Sequence, residues 1–345
     1  MKALMKVAKG PGQIEVRDIP VPTIPQDDWV LIQVKAAGVC GTDLHIWHDQ
    51  FAYWPPVVLG HEFSGVIVET GRAVKGFRPG DRVVAEPHSL ACGVCELCRQ
   101  GKIQICADKR SPGWGIDGAF ADYLVMPAML LHKIPDQLSF ELAALSEPLA
   151  ITIHQVTERV RIECQDFVAI TGAGPIGILA AFVAKAMGAG QVAITGRETC
   201  NQGRFAAAQA LGADFIINVD RENAVERIKE LTGGRGADLV IETSGAGPAI
   251  AQSIAMAKKC GRISAIGISP RETVEIPWNA AISKVLDIAF NMSSSFTSWD
   301  RAIALLASRG GILEPIITHK TKINQWQQVF ADLEAERGIK ALFIP

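Results

Sequence analysis

The sequence predicts an α/β chain built from two kinds of domain, and three observations carry that reading. The first 150 residues alternate apolar and polar positions in short runs broken by prolines and glycines, as antiparallel strands do. From about residue 165 the pattern becomes strand, glycine-rich turn, helix, repeated, which implies a parallel sheet covered on both faces. The last segment mixes isolated strand-like pieces with two helices and reads as a return to the first domain. The expected boundaries are 1–150, 151–290 and 291–345.

Bulk composition narrows the function. The chain has 345 residues, 48% hydrophobic and 20% charged, with a net charge of −2. Its length exceeds one average domain, and the mix is ordinary for globular proteins. Interspersed charges with no basic stripe give no electrostatic case for nucleic acid or a membrane surface. The apolar stretch 175–195 is broken by Lys185 and several glycines, so it is not a membrane span. The first ten residues lack a secretory pattern. Of eight cysteines, four crowd into 92–106, which suits a reducing, cytoplasmic setting better than a disulfide framework. Cys164, Cys200 and Cys260 read as structural or incidental thiols.

Taken in order, strands are expected within 2–5, 14–16, 29–34, 65–68 and 81–85, with Pro20, Pro22, Pro25 and the Pro79-Gly80 turn as punctuation. The second domain is expected to run through strand 166–171, a helix to about 187, strand 191–195, helix 205–211, strand 214–217, helix 224–231, strand 238–241, helix 248–259, strand 262–266 and strand 286–291. The tail adds helix 299–308, a strand at 316–318, helix 325–333 and strand 340–344.

Two short stretches offer chemistry. Cys40-Gly-Thr42-Asp-Leu-His45 and Gly60-His61-Glu62 together supply a thiolate, an imidazole and a carboxylate. These are the side chains that bind zinc, and three protein ligands leave room for substrate. Each alone is a weak signal; a lone cysteine in an apolar run is usually core. Cys92, Cys95 and Cys98 at two-residue gaps, with Cys106 seven residues on, form a much stronger signal. Four thiolates close a tetrahedral zinc site with no open position, so this lobe, 88–110, is expected to be structural.

Gly172-Ala-Gly174-Pro175-Ile176-Gly177 lies between a predicted strand and a predicted helix. Glycines there permit a tight turn, close approach of a pyrophosphate and close helix–sheet packing. The next strand ends Ile-Thr-Gly196-Arg197. Gly196 removes the acid that would hold a ribose 2′-hydroxyl, and Arg197 offers donors for a 2′-phosphate. NADP is therefore favoured over NAD, with Glu198 as the counter-reading that would restore NAD.

These motifs, in this order along nearly the whole chain, resemble the zinc-dependent medium-chain dehydrogenases. Glu62 beside His61 and the segment Glu147-Pro-Leu-Ala-Ile-Thr-Ile-His154 are similar to the sorbitol (polyol) and threonine dehydrogenase branch, and closer to the polyol form. The resemblance implies a β-rich, GroES-like catalytic domain, a Rossmann nucleotide domain and frequently a tetramer. It implies catalytic zinc on Cys40 and His61, with Glu62 and Glu147 completing its shell, and two zinc ions per chain. It also implies a proton route from Thr42 to His45. His154 reads as structural, and His48 and His88 as loop histidines. Trp47, Trp54, Trp114 and Phe120 are candidate pocket walls. One departure is visible: 290–293 reads Phe-Asn-Met-Ser, without the arginine–aromatic pair common in polyol enzymes, which argues against sorbitol itself.

The expected activity is hydride transfer between NAD(P) and a secondary alcohol of a polyol or sugar alcohol. L-threonine 3-dehydrogenase is the alternative, and a non-enzymatic zinc-ribbon module the reading from another class.

Overall fold

The computed structural model describes residues 1–201 and 203–345. It divides into two compact units, residues 1–150 with 294–345, and residues 151–293.

In the first unit, β1 (Lys2–Lys6) and β2 (Ile14–Asp18) pair antiparallel, with Leu4 opposite Val16. β3 (Trp29–Gly38) is an almost continuously apolar strand, largely buried on both faces, and leads at once into helix α1 (Gly41–Trp47). β4 (Val57–Val58) adds to β1, β5 (Glu62–Thr70) runs antiparallel beside β3, and β6 (Arg82–Ala85) pairs with β5. The cysteine-rich loop holds one helical turn, α2 (Glu96–Arg99). β7 (Tyr123–Pro127) pairs with the first half of β3, and β8 (Leu131–Lys133) with β6. Two short helices follow, α3 (Phe140–Ala143) and α4 (Ser146–Ile153).

The second unit runs β9 (Phe167–Thr171), α5 (Pro175–Ala186), β10 (Gln191–Gly196), α6 (Arg204–Ala210), β11 (Phe215–Asn218), α7 (Ala224–Leu231), β12 (Ala237–Glu242), α8 (Gly247–Met256), β13 (Ala257–Ala265), α9 (Trp278–Lys284) and β14 (Asp287–Phe290). Its six strands are parallel, in the order β11-β10-β9-β12-β13-β14. Strands buried on both faces explain the unbroken apolar runs of β9 and β12. The order reverses between β9 and β12, so the turns after these two strands open at the topological switch point where such sheets bind ligands.

The chain then rejoins the first unit through α10 (Phe296–Arg309), β15 (Ile317–Thr321), α11 (Trp326–Glu334) and β16 (Lys340–Phe343). β16 pairs with the end of β3, Leu342 facing Gly38, and β15 pairs with β16. Leu4, Ile32, Ile67, Phe120, Phe330 and Phe343 form the centre of this unit's core. The second core gathers Ala169, Ile217, Ile228, Val240, Ile254 and Ile263 between sheet and helices.

Two expected elements shift. The helix expected over 248–259 stops at Met256, and β13 begins at Ala257. Ala257 already pairs with Ala237, and Lys258 forms an ion pair with Asp238, so cross-strand bonding replaces the last helical turn. The helix expected from 299 starts at Phe296, because Ser295 and Ser298 cap each other's backbone N–H groups.

Candidate metal centre and dinucleotide loop

The register of β3 against β5 builds the first site. Gly38 faces Glu62, so the chain leaving β3 sets Cys40 beside His61 and Glu62 as the chain enters β5. Cys40 occupies the N-cap of α1, and its N–H donates to Asp43 Oδ2 at 2.9 Å. The ligand atoms of Cys40, His61 and Glu62 all lie within 4.8 Å of one another. His61 and Glu62 are buried, at 3% and 0% exposure. Glu147, in the first turn of α4, is 4% exposed and lies outside this closest group.

Several buried polar atoms here lack a hydrogen-bond partner: His61 Nδ1, Glu62 Oε1 and Glu147 Oε2. Orphaned buried atoms of this kind are costly unless something satisfies them. A divalent cation would do so, and the sulfur, nitrogen and oxygen donor set suits zinc. Burial pushes the Cys40 thiol far above its usual range, and the Glu62 carboxylate adds to the shift. Glu147 is pushed up to about 7, by burial first and then by Glu62, against the charges of His61 and Lys340. Both shifts favour the neutral, protonated groups, so a cation bound here would displace their protons.

Lys340 was not expected from the sequence. It lies on β16, 3% exposed, forms an ion pair with Glu62 Oε2 and donates to Val39 O at 2.9 Å. Burial alone would lower its pKa, but Glu62 and Cys40 outweigh that and raise it, so it is a cation. Its signal was present: a lone lysine opening an otherwise apolar terminal strand. Asp43 was also missed; it is fully buried, and its backbone bond to Cys40 fixes the first turn of α1.

Thr42 Oγ1 lies 3.7 Å from Cys40 Sγ, and His45 sits one turn along α1 at the surface, its Nδ1 3.4 Å from Gln50 Oε1. No direct hydrogen bond joins Thr42 to His45 among the described residues. Of the candidate pocket walls, Trp114 packs edge-on against His61, ring centroids 4.9 Å apart, and also edge-on with Phe51 at 5.6 Å. Trp54 is 45% exposed and stacks under Arg110. Trp47 and Phe120 take the simple packing role that is the commoner one for aromatic residues: Trp47, half-buried, packs on Trp326 and Phe330, and Phe120 is fully buried against Phe343. His48 pairs with Glu334 at the surface. His88, expected as a loop histidine, is buried, and burial followed by the charge of Lys109 pushes its pKa down to about 3. His154 pairs with Glu158 Oε2 at 2.7 Å.

The sulfurs of Cys92, Cys95, Cys98 and Cys106 also lie within 4.8 Å of one another. Cys92 Sγ is 3.9 Å from Cys98 Sγ and 3.6 Å from Cys106 Sγ. The N–H of Cys95 donates to Cys92 Sγ and that of Cys98 to Cys95 Sγ, both at 3.4 Å. Such N–H bonds stabilise thiolates, and those from Val94 and Cys95 lower Cys92 to about 7. Cys98 is pushed up to about 12 by burial and its sulfur neighbours. Four thiols this close lose their protons together only with a cation among them, and this set fits zinc.

In the second unit, Gly172 turns the chain out of β9 at φ +101°. A Cβ on Gly177 would lie 1.9 Å from Gly172 O, so only glycine lets α5 start this close to the strand. Gly174 caps α5 without a side chain, Pro175 takes its first position, and Ile176 follows half-buried. A Cβ on Gly174 would meet nothing within 4 Å, so open space faces the N–H groups of the helix start. That cradle fits the pyrophosphate of a dinucleotide. Thr243, not foreseen, donates to Thr171 O at 2.7 Å and Gly172 O at 3.1 Å and braces the turn from β12.

At the end of β10, a Cβ on Gly196 would lie 2.6 Å from the Phe205 ring and 2.9 Å from Cys200 Sγ. The missing side chain thus has a packing cause as well. Arg197 is exposed. Glu198 has both oxygens committed, to Arg221, Asn218 and Asn201.

The comparisons agree with this chemistry. The profile of the alcohol dehydrogenase GroES-like domain matches residues 26–136, and that of the zinc-binding dehydrogenase domain residues 175–312. The chain is 37% identical over 345 residues to the sorbitol dehydrogenase of Halalkalibacterium halodurans, covering all of this chain and 99% of that one. It is 38% identical over 347 residues to the L-threonine 3-dehydrogenase of Chromobacterium violaceum, covering 99% of each. A structure from Sinorhizobium meliloti 1021, described as a zinc-binding dehydrogenase bound to NADP, superposes with a TM-score of 0.92 at 32% identity, over 100% of this chain and 99% of that one. These matches leave no place for a non-enzymatic zinc-ribbon module. With a thiol beside a buried imidazole and carboxylate, a four-sulfur lobe and a glycine cradle on a parallel sheet, the chain belongs to the zinc-dependent medium-chain dehydrogenases.

Proposed function

We propose that this chain oxidises a secondary alcohol of a polyol or sugar alcohol to the ketone, with NADP as the preferred hydride acceptor and two zinc ions per chain. The unit of residues 1–150 with 294–345 carries the metals, and residues 151–293 the dinucleotide. The observation that carries the reading is the convergence of Cys40, His61 and Glu62, with buried polar atoms of His61 and Glu62 left without a hydrogen-bond partner.

When bound, zinc polarises an alcohol oxygen and the dinucleotide takes the hydride. Cys40 and His61 hold the metal, and Glu62 and Glu147 complete the shell. Lys340 forms an ion pair with Glu62 Oε2. Thr42, beside Cys40, accepts the proton the alcohol loses, and His45, exposed at the end of the same helix, hands it to water. Trp114 and Phe51 shield the metal from solvent on one side. Replacing Thr42 with Val is expected to leave NADPH affinity unchanged and to lower kcat by about 10²-fold or more. Normal turnover in that variant would remove the relay.

NADP preference is supported by exposed Arg197, by the absence of an acid at Gly196, and by the full engagement of Glu198. Among the described residues no helix is long and apolar enough to cross a membrane. The clustered metal-site cysteines and the exposed thiols of Cys164 and Cys260 suit the cytoplasm. We place the chain in a homotetramer, with β14, the open edge of the parallel sheet, at one seam.

The test is a screen of polyols, sugar alcohols and L-threonine with NADP and NAD, alongside metal analysis. The expected result is polyol oxidation, a higher kcat/KM with NADP, and two zinc equivalents per chain. Preference for L-threonine would move the chain to the other branch, and better use of NAD would overturn the cofactor assignment.

A further inference from the structure

The adenosine ribose of a dinucleotide sits at the end of the second strand of such a unit, where a carboxylate selects NAD by holding the ribose hydroxyls. In this chain that corner is 196–198, and it contains an acid, Glu198. The usual position for the acid is closed, because any side chain at Gly196 runs into Phe205 and Cys200. The first acid after this strand end is Glu198.

Arg221 holds this acid. It lies in the turn after β11, the strand next to β10. Its Nε donates to Glu198 Oε2 and its Nη2 to Oε1, both at 2.6 Å. Asn218 adds a bond to Oε2 at 2.5 Å and Asn201 one to Oε1 at 2.7 Å. Asp220 fixes the backbone by accepting from Glu198 N at 2.7 Å. With four donors on two oxygens, the carboxylate has no strong acceptor capacity left for a ribose. Its charge is balanced by a planar fork that a lysine would not reproduce. Arg197 next to it has no protein partner among the described residues and stays available for a phosphate.

We propose that Arg221 is a specificity-determining residue that makes the ribose corner accept a 2′-phosphate by sequestering Glu198. With the fork in place the corner presents Arg197 unopposed. Without it, Glu198 is released as an acceptor for the 2′- and 3′-hydroxyls and repels the phosphate. The proposal rests on the NADP reading above and goes beyond it, because it assigns the choice to a residue on the neighbouring strand's turn.

The experiment measures dissociation constants of NADPH and NADH by fluorescence for wild type, Arg221→Ala, Glu198→Gln and the double variant, each checked by thermal melting. The wild-type ratio tests the NADP reading by itself; equal affinities would end that reading. The change in ratio on substitution tests the proposal. Arg221→Ala is expected to weaken NADPH at least tenfold and to tighten NADH. Adding Glu198→Gln is expected to recover most of the NADPH loss and cancel the NADH gain. Glu198→Gln alone is expected to tighten NADPH about threefold or more, since it frees Arg221 as a second cation, and it decides the matter if Arg221→Ala fails to fold. A ratio within twofold of wild type in Arg221→Ala, or unchanged NADPH affinity in Glu198→Gln, overturns the proposal.

Discussion

Glu147 carries a prediction about the proposed metal site. Its pKa, raised to about 7 chiefly by burial, means that a proton competes with the cation below that pH. The sign follows: a group with a raised carboxyl pKa is neutral on the acid side, so zinc affinity at this site falls as the pH drops from about 8 to about 6. Competitive chelation should reveal the slope, up to about tenfold per pH unit for one proton. Glu147→Gln should remove that part of the slope while Cys40 keeps its own. An unchanged slope would mean that Glu147 does not bear on the metal. At the same scale, the site residue types were legible at Cys40, His61 and Glu62, because metal-binding side chains are few. Lys340 and Asp43 were not, because a buried charge is recognisable only once its partner is known.

At the scale of elements, the glycine turn between β9 and α5 is the most constrained local geometry. With a Cβ on residue 177 falling 1.9 Å from Gly172 O, Gly177→Ala must push the helix start off the strand. Overpacking of this kind costs about 1–3 kcal/mol, so NADPH affinity is expected to fall about tenfold or more while the zinc content stays at wild type. Tight binding in the variant would show that the cradle tolerates the displacement. The strand–turn–helix order was readable because glycine spacing and apolar runs report local backbone needs. The end of α8 was not, since pairing of Ala257 with Ala237 is a tertiary event that overrides helical periodicity.

For the whole molecule, β14 leaves an open sheet edge. Around it stand Phe290 at 78% exposure, Val285 at 68%, Ile268 at 67%, Trp278 at 62% and Ile282 at 60%. A free edge bordered by large apolar side chains is an aggregation hazard in a monomer and an interface in an oligomer. Replacing Val285 and Phe290 together with Asp should lower the mass seen by light scattering on a sizing column. An unaltered mass would place the seam elsewhere.

The sequence by itself determined the classes of residue available and the local rhythm: two zinc donor sets, a glycine cradle, a β-rich half and a parallel-sheet half. It could do so because ligand chemistry, turn geometry and amphipathic period are written in neighbouring residues. The tertiary structure alone decided which acid is free and which is held. Strand register brings Lys340 to Glu62 and the turn after β11 brings Arg221 to Glu198, across 278 and 23 positions of chain. Electrostatic partnership depends on distance in space, and no spacing along the chain encodes it.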